Sequence, residues 1–174
     1  IGDWSSDVCS SDLLDVVRDT IEIYKKVSRA YGRDPGPDHI LIGQQTCIAE
    51  TDEEARHHMR EALPYFHDKL MRPQQDAQRI VLQKSRFFSH DEQKAFFVKR
   101  LQTHKSRSLE DQIEAGSLLC GSPQSVVKQI KRLRQHLGAG HININMKIGT
   151  MPDEIILKGM DLFRTQVLPH VADL

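Results

Sequence analysis

The sequence has no excess of either charge: 24 Lys and Arg stand against 24 Asp and Glu, so the formal net charge is zero. A dedicated nucleic-acid binder needs a basic excess to displace counterions from phosphates, and that class is excluded. No apolar run approaches the roughly 20 residues of a membrane span. Cysteine is scarce. Cys9, Cys47 and Cys120 form neither a CxxC pair nor a dense framework, which excludes a disulfide scaffold and makes a reducing cytoplasm the expected location. From Ile1 to Leu14 there is no basic stretch and no long apolar one, so a signal peptide is not expected. What remains is a chain of 174 residues, enough for one domain with a real core.

The first stretch does not match the rest. Asp3 to Leu13 reads DWSSDVCSSDL, in which seven of eleven residues are Ser or Asp and SSD occurs twice. It holds the single Trp, Trp4, and one of the cysteines. The string resembles a translated sequencing-adapter read. The expected division is therefore a foreign segment over 1–13 and a native domain over 14–174, cut from a longer frame.

Leu14, Val17, Ile21, Tyr24, Val27 and Tyr31 recur at steps of three and four, which predicts one face of a helix stopped by Gly32 and Pro35. His39 to Ala49 reads as a buried strand. Thr51-Asp-Glu-Glu54 is a capping box opening a helix from Asp52 to about Met71, which Pro64 must disturb. Over 72–116 the pattern is irregular. Between Arg72 and Arg107 nine basic residues face three acidic ones, and so long a connection is expected to be a functional lid or disordered. Ser117 to Cys120 then reads as a short strand. Ser122 and Pro123 start a helix carrying Val126, Val127, Ile130, Leu133 and Leu137, which Gly138 and Gly140 end. His141 to Ile148 is a strand. A last helix follows Thr150, with Ile155, Ile156, Met160, Leu162 and Phe163 inward and Pro169 near its end. Strands alternating with helices predict right-handed βαβ units and a parallel sheet. Pattern alone leaves a (β/α)8 barrel and an open doubly wound sheet equally possible.

Residues Leu118 to Val171 decide between them by resemblance. Gly121-Ser122-Pro123 after a short strand, Gln129-Ile130, the turn Gly138 to Gly140, the strand Ile142 to Met146 and Phe163-Arg-Thr-Gln-Val167-Leu-Pro169 follow in the order seen in the bacterial luciferase-like flavin-dependent monooxygenases. Upstream, Tyr31-Gly-Arg-Asp-Pro35 and Ile48 to Ala55 resemble that family's run into strand six and helix six. The resemblance implies an α/β fold, the C-terminal part of a (β/α)8 TIM barrel with a long insertion before the seventh strand. It implies reduced FMN and molecular oxygen acting on a small organic substrate, a flavin reductase as supplier, and a dimeric parent enzyme. The deazaflavin F420 is the alternative cofactor, in a reductase or dehydrogenase. A non-enzymatic fragment is the alternative from another class. With strands one to five missing, the chain is expected to be inactive alone, and no phosphate ligand is carried over.

Active sites of such barrels lie at the C-terminal ends of the strands. The last strand alternates. Ile142, Ile144 and Met146 fall on one side, and His141, Asn143, Asn145 and Lys147 on the other. The polar side would face the interior, which makes Asn145 a candidate cofactor contact. The resemblance adds Tyr65 and Phe66, near a point of helix six where the family often places an aromatic, and His104 and Lys105, within a stretch resembling the family's mobile loop. Ordinary packing competes for the aromatics and solvated charge for the lid pair. His57, His58 and His67 share a helix with Glu61, but adjacent histidines point to different sides and no metal site is expected.

Overall fold

The structure, a computed structural model, describes residues 12–71 and 108–173, with positions 73, 77, 80, 81 and 84 between them. Helix α1 spans Asp12–Ala30 and strand β1 Leu41–Ile48. Helix α2 spans Asp52–Tyr65 and continues as a wider π turn over Phe66–Met71. The winding changes directly after Pro64, whose missing N–H removes one ladder bond. Helix α3 is Leu109–Glu114, strand β2 Leu118–Gly121 and helix α4 Pro123–Leu137. Strand β3 is His141–Asn145 and helix α5 Asp153–Leu162, which runs on through short π and 3-10 turns to His170. Among the described residues no helix is long and apolar enough to cross a membrane.

The sheet is parallel, in the order β2-β1-β3. A (β/α)8 barrel whose strands follow one another in chain order would instead put β2 in the middle. The reason lies in β1. It is the longest strand, and its two partners use different halves of it. Gln45 to Ile48 pair with Leu118 to Gly121 on one edge, and Leu41 to Gln45 pair with His141 to Asn145 on the other. Successive connections run in opposite directions along the sheet, so right-handed crossovers put helices on both faces.

Two cores form accordingly. On one face Ile48 and Leu119 meet Leu14 and Ile21 of α1, Val126, Ile130, Leu133 and Leu137 of α4, and Val167. On the other, Cys47, Ala49, Leu118 and Cys120 meet Ala55, Met59, Ala62 and Leu63 of α2 and Leu109 of α3. The faces alternate residue by residue, as a strand covered on both sides must.

Two expectations about side chains change. The apolar face of α1 is buried only over its first half, and Tyr24, Val27 and Tyr31 are exposed because α4 meets α1 near its start. Met160 is exposed while its neighbours Leu162 and Phe163 pack inward. The insertion expected over 72–116 falls mostly outside the described residues, but its end is regular. Ser108 Oγ accepts the Asp111 N–H at 3.0 Å, and the Asp111 carboxylate accepts the Ser108 N–H at 3.2 Å. This reciprocal cap starts α3, and Leu109 anchors it.

A polar cleft on the sheet face

The face carrying Leu41, Gly43 and Gln45 is covered by α2 and α3 only over its later half. Beside the uncovered half lies a cleft of about 400 Å³. Gly43, Gln44, Gln45, His67, Gln112, Ser117, Leu118, Asn143 and Asn145 line it. The volume falls within the roughly 300–1,000 Å³ of small-molecule sites. No Asp, Glu, Lys or Arg is among these lining residues, so the surface offered is one of neutral amides, a hydroxyl and an imidazole.

The strand registers assemble the amides. Gly43 pairs with Asn143 and Gln45 with Asn145, so the two asparagines stand beside the two β1 positions on one face. Ile142, Ile144 and Met146 pack on the opposite core, as the alternation of this strand predicts. The Asn145 Oδ1 accepts the Lys147 N–H at 3.2 Å, which fixes its carbonyl end and leaves its NH2 to donate. Lys147 itself turns away, its Nζ 2.5 Å from Asp153 Oδ1. Gln44 is 8% exposed; its Nε2 donates to the Gly116 carbonyl at 3.1 Å, and its buried Oε1 has no hydrogen-bond partner in the protein. Gln44 is the register partner of Ile144, so its side chain leaves the sheet on the α1 and α4 side, away from Asn143 and Asn145.

The C-terminal ends of β1 and β2 are closed by the chain itself. Asp52 accepts the Ser122 N–H at 2.7 Å and the Ser125 Oγ–H at 2.9 Å. The Ser122 N–H first of all, with the two serine hydroxyls, holds the Asp52 carboxyl below the usual range. A carboxylate from α2 thus occupies the N-terminus of α4, a position that suits an anion. Ser122 is the N-cap residue, as its place before Pro123 predicts, but its side chain makes no cap bond, and its hydroxyl donates to Ser125 Oγ at 3.3 Å instead. Gly121 permits the approach: at φ +148 it adopts a conformation rare for L residues, and a Cβ there would stand 2.8 Å from Asp52 Oδ1.

Of the residues singled out from sequence, Asn145 lines the cleft. Tyr65 ends α2, 44% exposed, and Phe66 packs against the core under α2 with its ring edge-on to His67. Neither is among the lining residues. His104 and Lys105 lie outside the described residues. His57 faces Glu61 at 3.6 Å and His58 faces Glu54 at 3.8 Å, both as helical neighbours. Glu54 does not complete the expected capping box. Thr51 Oγ1 accepts the Glu54 N–H at 3.2 Å, while the Glu54 carboxylate lies toward His58 and Lys158. Gln44 and Gln45 were missed. Two consecutive amides inside an otherwise apolar strand were the available signal, since buried amides need partners.

A family model described as luciferase-like monooxygenase matches residues 11–141. No curated protein sequence matches the chain. The structure is similar to the monooxygenase RslO1 from Streptomyces bottropensis, with a TM-score of 0.61 and 20% identity over 92% of this chain and 40% of that one. It is also similar to a type II Baeyer-Villiger monooxygenase, the oxygenating constituent of 3,6-diketocamphane monooxygenase from Pseudomonas putida in complex with FMN. There the TM-score is 0.59 and the identity 18%, over 90% of this chain and 40% of that one. At such identities the likeness is one of fold, and the chain spans about 40% of the length of these structures. The family match covers most of the sequence, and on it the chain belongs to the luciferase-like monooxygenase family.

Proposed function

We propose that the chain contributes part of the flavin site of a monooxygenase that uses reduced FMN and molecular oxygen to oxidise a small organic substrate. The observation that carries this reading is the uncharged cleft, with its row of amides, in a chain of this family. The pyrimidine edge of a flavin alternates donors and acceptors, and side-chain amides are the groups that answer both. Gln45, Asn143 and Asn145 would hold that edge. The FMN phosphate has no counterpart here: no cationic side chain lines the cleft, and Asp52 fills the N-terminus of α4. The phosphate is therefore assigned to the part of the fold that lies beyond the 40% coverage, and turnover is assigned to the complete fold. Reduced FMN, when bound, supplies the electrons that activate oxygen. The deazaflavin F420 presents the same ring edge, and the preference for FMN rests on the family and on the FMN of the diketocamphane enzyme.

The test is a titration of the purified chain with riboflavin and with FMN. Both should bind weakly and within about twofold of each other, because the ring is gripped and the phosphate is not. Asn143→Leu and Asn145→Leu should each weaken both ligands by about tenfold, the loss of roughly one hydrogen bond. FMN binding far tighter than riboflavin, or unchanged affinity in both variants, would refute the assignment.

A further inference from the structure

Cys47 and Cys120 take no part in the cleft. They are register partners on neighbouring parallel strands, so their side chains leave the sheet on the same face. Both are free, both are 2% exposed, and both belong to the core beneath α2 and α3. Parallel neighbours stand about 4.8 Å apart with their Cβ bonds side by side. A disulfide draws the Cβ atoms to about 3.8 Å, closer than this ladder places them. Two metal–sulfur bonds of about 2.3 Å placed end to end span roughly 4.6 Å, a reach open to two side chains that leave neighbouring strands on one face. A structural zinc ion wants four ligands. Among the described residues no group of three or more His, Cys, Asp and Glu could hold a metal, so a two-coordinate soft ion is the class that fits. A cation is at hand to balance the charge. Arg56 of α2 has a buried Nε with no hydrogen-bond partner, and its charge, with that of Arg60, favours the Cys120 thiolate, against Asp52 there and Glu54 beside Cys47.

We propose that Cys47 and Cys120 form a two-thiolate site for a soft monovalent cation of the copper(I) type. Binding makes two S–Cu bonds and breaks two S–H bonds. Both protons leave to solvent, nothing is oxidised or reduced, and the single net negative charge is offset by Arg56. Burial pushes both thiols up to about 12, so near neutral pH the metal displaces two protons. Affinity therefore increases with pH, by roughly a hundredfold per unit.

The experiment titrates the full, reduced chain anaerobically with copper(I) supplied from a coloured chelator. One equivalent should transfer. Cys47→Ser and Cys120→Ser should each weaken binding at least about a hundredfold, and Cys9→Ser should leave it unchanged. One equivalent still bound by either core variant, or its loss in Cys9→Ser, overturns the site. Serine at these positions could also impair folding, so the unaltered chain supplies two further readouts. Saturating copper(I) should raise the melting temperature, because only the native state presents both sulfurs. An unchanged or lowered melting temperature, or an affinity that changes only tenfold per pH unit, overturns the proposal.

Discussion

Asp52 joins two elements through two hydrogen bonds. It sits in the first turn of α2, and its carboxylate takes the backbone N–H of Ser122 and the hydroxyl of Ser125 at the start of α4. Removing it leaves the Ser122 N–H without its acceptor and takes a negative charge from a helix N-terminus. Asp52→Ala should cost about 1 kcal/mol at neutral pH, a value kept low because the group is partly solvated. The pH dependence gives the sign. The folded carboxyl titrates below its unfolded value of about 3.9. Its contribution is therefore complete above that value and fades as pH falls through the lower, folded one. Urea melts of the parent and the variant should differ at pH 7 and converge well below pH 4. A constant gap across that range would mean that the loss is one of packing.

At the scale of elements, β2 shows how a short strand is kept. It has four residues, all buried, and pairs with β1 on one edge only. On its other edge the Gln129 amide stands in for a strand. Its Oε1 accepts the Cys120 N–H at 3.0 Å and its Nε2 donates to the Cys120 carbonyl at 2.9 Å. Gln129→Leu keeps the volume and strands both backbone groups, so a loss of about 2 kcal/mol is expected by chemical denaturation. Gln129→Glu restores only the acceptor and should fall between. The Gln129-Ile130 pair was visible in the sequence as a motif, but its work was not, because the groups it satisfies belong to another element. The same holds for the cap on α4: Ser122 and Pro123 mark the helix start locally, whereas Asp52 reaches it across 70 residues. Strands and helices were legible because their periods are local. Helix α3 was equally legible in Ser108 and Asp111, and was hidden by the irregular, basic stretch before it. The cleft was only half legible, since the alternation of β3 points to Asn145 while nothing local says that Gly43 and Gln45 stand beside it.

For the whole molecule, the core begins at Leu14, and α1 is tied to α4 by the 3.0 Å contact of His136 with Asp15. The residues before Asp12 offer Ile1, Trp4, Val8 and Cys9 as apolar groups, spaced among six Ser and Asp. A chain starting at Asp12 should melt within about 2 °C of the full one, since a packed segment worth roughly 1 kcal/mol would shift the midpoint by several degrees. Such a shift would show that Ile1 to Ser11 belongs to the domain. The strand order was the least legible feature of all: β2-β1-β3 depends on which edges of β1 are taken, and hydrophobic periodicity carries no record of edges.

That central place of β1 also orders events in time. Leu41 can complete its ladder only when His141 has arrived, and Gln45 only when Leu118 has. Both described partners of β1 lie far downstream of it in sequence, so loop closure must precede the reward of these pairings, and such pairings are slow to form. Until they form, the backbone N–H and C=O groups of β1 have no ladder partner in this sheet. Once the sheet closes the positions reverse: β1, bonded on both sides, should be the last strand to exchange its amide protons with solvent.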